Sequence, residues 1–175
     1  KKVGESVGLE VKHINDLDIN SMYAEYAPCQ YNDSIFFFAG VRPLDAKLAD
    51  TSFIYANYLT RVIQATRRND STWSNVKVVS SLIDPNAHVN NLSFTRDGKT
   101  AYFSKCFGYN CSIYKADFDP KFLDFSNVTK LPAPINMAQT SNTTPQIAYT
   151  SQGDYLFFAS SRNGTKGGYD IWYAS

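Results

Sequence analysis

Ser93-Phe94-Thr95-Arg96-Asp97-Gly98-Lys99-Thr100-Ala101-Tyr102-Phe103-Ser104 decides the fold of this chain. Asp97-Gly98 is a tight-turn dipeptide with apolar residues on both sides, so the stretch reads as two strands joined by a hairpin. An aromatic strand of the same kind recurs before it, as Ile35-Phe36-Phe37-Phe38-Ala39-Gly40, and after it, as Tyr155-Leu156-Phe157-Phe158-Ala159-Ser160. A recurring run with a fixed neighbourhood is the signature of a repeat architecture.

The neighbourhood does recur. An opening turn stands before each aromatic strand, at Ile19-Asn20, Ile83-Asp84 and Ile135-Asn136. Its isoleucines are 64 and then 52 residues apart. The longer first spacing is taken up by a loop over Arg42–Ser52 and a hairpin over Tyr58–Thr72, and length variation in a repeat belongs in loops. Each unit reads as four short strands: an inner one after the opening turn, the aromatic one, a third ending in Ala, and a fourth after Trp73 or Phe125. The third strand is expected at Phe53-Ile54-Tyr55-Ala56, Ser112–Ala116 and Asp170–Ala174.

The expected fold is therefore all-β: a β-propeller of four-stranded antiparallel blades, with about three blades across residues 1–175, part of a larger ring. Residues 18–82 and 83–134 are expected as blades and 135–175 as an incomplete blade. Residues 7–14 are expected as the outer strand of a preceding blade. Both ends read as cuts inside a longer protein, so further blades are expected from a parent chain. If the leading strand instead completes the last blade, a three-bladed closure or pairing with another chain follows.

Composition narrows the partners. The chain has 175 residues, 43% hydrophobic and 15% aromatic, with a net charge of +1. Lys and Arg are scattered, which leaves no footprint for nucleic acid or an anionic membrane surface. The longest apolar stretch, Ile35–Val41, is too short to span a bilayer. Cys106 and Cys111 bracket a turn-forming Phe-Gly-Tyr-Asn and can meet across a hairpin as a disulfide, which places the chain in an oxidising compartment. Cys29 reads as a buried small residue.

No catalytic set is recognised. Gly4-Glu5-Ser6-Val7-Gly8 matches a nucleophile-elbow pattern but lacks the strand before it and the helix after it. Asp16-Leu17-Asp18-Ile19-Asn20 begins like a calcium loop, yet Ser21 and Ala27 stand where a Gly and a Glu are needed. Neither His13 nor His88 has a partner at metal-ligand spacing. The chain is thus expected to be no enzyme, with no cofactor and no metal.

The Ser93–Ser104 segment and Phe158-Ala159-Ser160-Ser161-Arg162-Asn163-Gly164 resemble the PD40 repeat, the WD40-like repeat of TolB-type propellers. The Ile-Asn-Ser turn before Glu25-Tyr26-Ala27-Pro28, the His88-Val89-Asn90-Asn91 stretch and Gly167-Gly168-Tyr169-Asp170-Ile171-Trp172-Tyr173 resemble the propeller of OmpA-family envelope lipoproteins of Bacteroidota. Members of that group accompany type IX secretion and gliding machinery. The resemblance implies a periplasmic, outer-membrane-associated module that docks other envelope proteins. Arg42, Lys105 and Arg162, each just after an aromatic strand, are the candidate partner-binding residues, with Arg67 and Arg68 at a hairpin tip. The alternatives are a glycan-binding propeller, with Tyr and Trp stacking on sugar rings, and the non-catalytic propeller of a larger peptidase.

Overall fold

A computed structural model describes residues 11–14, 18–42, 58–69 and 72–175. The expected loop over Arg42–Ser52, apart from Arg42 itself, the Phe53–Ala56 strand and the Gly4–Gly8 motif lie outside them. So do residues 7–10 of the expected leading strand, and residues 11–14 form no strand.

The described chain is a series of antiparallel sheets, the blades of a β-propeller. The first holds β1 (Glu25–Gln30), β2 (Ile35–Val41), β3 (Thr60–Arg67) and β4 (Trp73–Val78), in that order. The second holds β5 (His88–Phe94), β6 (Thr100–Phe107), β7 (Asn110–Asp119) and β8 (Asp124–Lys130). The third holds β9 (Asn142–Thr150), β10 (Gly153–Ser160) and β11 (Asp170–Ala174). The third strand of the first blade is therefore Thr60–Arg67, not the expected Phe53–Ala56. Its Arg61 and Gln64 disguised it in the sequence, yet both are buried.

The aromatic strand of the second blade lacks full polar alternation because a blade lies against each of its faces. Ile35, Phe37 and Val62 meet Phe94, Ala101, Phe103, Phe118 and Phe125 of the second blade. Ile113 of that blade packs with Ile147, Leu156 and Phe158 of the third, with Tyr102 and Trp172 at the margin. Phe38, Ile63 and Ala65 turn to the other side of the first blade, against Ile19. Each fully buried Phe contributes about 1.5–3 kcal/mol relative to leaving it in water. Stacking these faces is what holds separate sheets together.

The innermost strands share a further device. Ala27, Asn91 and Thr144 all have left-handed backbones, with φ of +51°, +56° and +51°. A register shift accompanies each, between Tyr26 and Cys29, between Asn90 and Ser93, and opposite Phe157 to Ala159. One extra residue bends the strand and frees backbone amides from the ladder. Hydroxyls of the neighbouring blade collect them: Thr144 N donates to Ser104 Oγ at 2.9 Å, and Ile147 N to Ser93 Oγ at 2.9 Å. The blades are thereby keyed to one another by hydrogen bonds as well as by packing.

Candidate functional site

Register aligns the blades residue by residue. Ala39, Ser104 and Ala159 pair with the residue preceding each left-handed position. Three residues further on stand Arg42, Phe107 and Arg162. Lys105 is thus not the counterpart of the two arginines, as the sequence reading had it; Phe107 is.

All three cations turn towards their own blade's opening turn. Arg42 Nη2 donates to the carbonyls of Asp18 and Ile19 at 2.9 and 2.7 Å and lies 3.5 Å from Glu25. Lys105 Nζ meets Asp84 at 2.6 Å. Arg162 is 9% exposed. It donates to the carbonyls of Pro134 and Ile135, to Asn142 Oδ1 and to Ser160 Oγ, with its plane over Phe158 and Trp172. Burial lowers its pKa. These groups spend their donors inside the blade. Arg67 and Arg68 are exposed and belong to the β3–β4 hairpin, at the opposite end of the blade from Arg42.

The end that carries Arg42, Lys105 and Arg162 also carries the disulfide. Cys106 and Cys111 are directly paired across β6 and β7 and are bonded, as expected. Such a bond points to folding in an oxidising, extracytoplasmic compartment. Beyond it the hairpin closes through Gly108, at φ +57°, and Tyr109. Ser141 ties this tip to the third blade: its Oγ accepts from Cys111 N at 2.9 Å and donates to Tyr109 O at 3.1 Å, and Ser161 Oγ accepts from its amide. Tyr109 stands 97% exposed on this braced tip, and Phe107 is half exposed. Met137 and Tyr169, on loops at the same end, are also half exposed. The sequence reading missed this cluster because it looked for charge; the signal was the Phe-Gly-Tyr between the two cysteines.

At the other end, the innermost strands converge around a polar groove of about 610 Å³. Tyr31, Arg96, Asp97, Gln146 and Tyr149 line it. Arg96 bonds Asp154 at 3.1 Å and lies over the Tyr149 ring. The Asp97 carboxylate accepts from Thr95 Oγ1 at 2.7 Å and from Lys99 N at 3.1 Å, which holds it below its ordinary range.

His88 lies between the blades. Its Nδ1 accepts from Thr60 N at 3.0 Å. Burial, then the charge of Arg61, lowers its pKa. Burial pushes the Cys29 thiol up to about 11. Among the described residues, no cluster of three His, Cys, Asp or Glu is placed to hold a metal ion. No helix of the described residues is long and apolar enough to cross a membrane.

No protein-family model and no curated protein sequence matches this chain. Solved structures do. A thermostable family-43 glycoside hydrolase is 14% identical, with a TM-score of 0.51, over 85% of this chain and 49% of its own. A family-43 endo-arabinanase from Bacillus licheniformis is 18% identical, with a TM-score of 0.49, over 85% and 50%. TolB from Acinetobacter baumannii is 17% identical, with a TM-score of 0.49, over 89% and 31%. The chain thus spans half or less of the length of these structures. At these identities the likeness is one of fold, the β-propeller. That fold houses enzymes, since glycoside hydrolases are among the neighbours. The expectation that the chain is no enzyme, drawn from missing sequence motifs, is corrected on this ground.

Proposed function

We propose that this chain is a protein-docking propeller module of the bacterial cell envelope. The observation that carries the reading is the braced hairpin tip, where Phe107 and Tyr109 are held in water by the Cys106–Cys111 bond and by Ser141. Rigid, exposed aromatics lose little conformational entropy on binding and are enriched among the residues that dominate interfaces. Met137 and Tyr169 extend the apolar surface at the same end. The sequence resemblance to OmpA-family envelope lipoproteins of Bacteroidota supplies the setting: a periplasmic, outer-membrane-associated assembly of the type IX secretion or gliding kind. A photo-cross-linking residue at position 109, introduced in cells, tests it. Discrete adducts with envelope proteins are expected, weakened by Phe107→Ser. No adduct at 109, where one forms at no control position either, removes the proposal.

A second reading, glycan binding, is favoured by the groove of Tyr31, Arg96, Gln146 and Tyr149, which combines aromatic rings with hydrogen-bonding groups. Calorimetric titration with arabino-oligosaccharides tests that reading, and heat no greater than dilution rejects it.

A further inference from the structure

A cleft of about 490 Å³ opens beside the braced hairpin tip, between residues 110–112 and the loop of residues 136–140. Lys130, the last residue of β8, completes its lining. Both walls are fixed. The hairpin wall is held by the Cys106–Cys111 bond and by the Cys111 amide on Ser141 Oγ. The loop wall is held by Asn136, which accepts from Ile113 N and donates to the Ile113 and Leu131 carbonyls. Thr140 Oγ1 closes that loop on Met137 O at 2.9 Å. A cleft formed before binding loses little conformational entropy when it is filled.

Its chemistry is one-sided. The lining holds one cation and no carboxylate. Lys105 has its acid, Asp84, and Arg42 has Glu25, whereas Lys130 is exposed and forms no ion pair among the described residues. The side chains of Asn110, Ser112 and Gln139 bond to no described residue either. An ammonium, two amides and a hydroxyl therefore offer donors into one space. Met137, half exposed, adds a soft apolar surface to the same lining. The whole chain carries a net charge of +1, so an attraction for anions here would belong to the cleft and not to the overall field.

With the docking reading as its ground, we propose that this cleft recognises an acidic, extended segment of the partner protein. A carboxylate of that segment meets Lys130, with Asn110 and Gln139 as further donors. An apolar residue two positions along, on the same face of the extended segment, packs on Met137. The charge pair selects the partner, and the apolar contact at the cleft and on Phe107 and Tyr109 beside it supplies affinity.

The test titrates the intact chain into a rhodamine-labelled peptide, Gly-Glu-Gly-Leu-Gly-Glu-Gly-Leu-Gly, and into its counterpart with Lys for Glu, read by fluorescence polarisation. The Glu peptide is expected to bind about tenfold tighter than the Lys peptide. Lys130→Glu should abolish that preference. Lys121→Glu, the same charge change at the far end of β7 and β8, should leave it intact. Met137→Ser should weaken the Glu peptide several-fold. Equal binding of the two peptides overturns the proposal, as does a preference that survives Lys130→Glu. Inorganic phosphate that displaces the peptide as well as unlabelled peptide does, at equal ionic strength, overturns it too, since the cleft would then take small anions. In cells, Lys130→Glu should weaken the cross-links formed from position 109. Cross-links undiminished by Lys130→Glu overturn this proposal and leave the docking reading standing; their absence from the unaltered chain removes the docking reading and this proposal with it.

Discussion

Gly98 of the second blade sits against Tyr31 of the first: a Cβ built on Gly98 would lie 2.8 Å from Tyr31 Oη and 2.9 Å from its ring. The same Tyr31 ring meets Phe94 and Phe118 edge-on, each at 4.8 Å between centroids. The hairpin turn of one blade is therefore part of the seam between two.

Gly98 also has φ +68°, a left-handed backbone. Gly98→Ala meets both obstacles, backbone strain of about 1 kcal/mol and the displacement of a packed ring. A loss of about 2 kcal/mol in urea unfolding is expected. Gly98→Ala combined with Tyr31→Ala should lose less than the sum of the two single changes. Full additivity would mean that the Gly98 turn and the ring do not meet.

Arg162 gives a second test of internal structure. Its removal leaves the Pro134 and Ile135 carbonyls and Asn142 Oδ1 without this donor, in a site closed by Phe158 and Trp172. Arg162→Ala should cost about 3 kcal/mol, since hydrogen bonds to charged groups exceed neutral ones and a buried acceptor is costly to orphan. Arg162→Lys should recover only part of that, because an ammonium cannot reproduce the planar fork. Equilibrium denaturation measures both, and a change below about 0.5 kcal/mol would place the side chain at the surface instead.

These two residues mark the boundary of what the sequence discloses. Asp97-Gly98 announces its hairpin through turn chemistry, which is local, so the fold was legible from it. The Ile-Asn turns were legible as a repeat, and their cause is now visible. Asn136 accepts from Ile113 N at 2.9 Å and donates to the carbonyls of Ile113 and Leu131, locking one blade's opening to the blade before it. The site was harder. Arg162 reads as a loop charge because nothing local says that two aromatic planes will close over it. Strand β3 was misplaced for the same reason, since Arg61 and Gln64 become core only once the loops and blades around them are assembled. Phe107 matches two arginines in register, and only pairing across strands discloses that.

The three cysteines make opposite predictions. Cys106–Cys111 closes a short loop, their sequence separation being 5. Its reduction, or Cys106→Ser with Cys111→Ser, should cost about 2 kcal/mol, the chain-entropy value for a loop that short. Cys29 has a thiol pushed up to about 11 by burial and packs against the first core. Iodoacetamide at pH 8 should leave it unmodified in the folded chain and label it once urea is added, as mass spectrometry would show. Rapid labelling of the native protein would contradict the packing of that thiol against the core between the first two blades.

His88 predicts the acid response of the first seam. Its Nδ1 accepts the Thr60 amide, so the folded chain holds the ring neutral, and burial together with Arg61 lowers its pKa below the ordinary 6.5. Protonation would remove the acceptor and set a second positive charge beside a guanidinium that is 2% exposed. The unfolded chain then binds a proton that the folded chain refuses. The contribution of His88 is therefore complete above about pH 6.5 and declines as pH falls towards the lowered folded value, by at most about 1.4 kcal/mol per pH unit. Below that value the decline from this group stops, and depressed carboxylates such as Asp97 take over. Urea unfolding at steps between pH 8 and 4 should show this slope, and His88→Ala should be less stable at pH 8 yet flatter across the same range. An identical slope in the variant would remove His88 as the cause and leave the seam between β3 and β5 insensitive to acid.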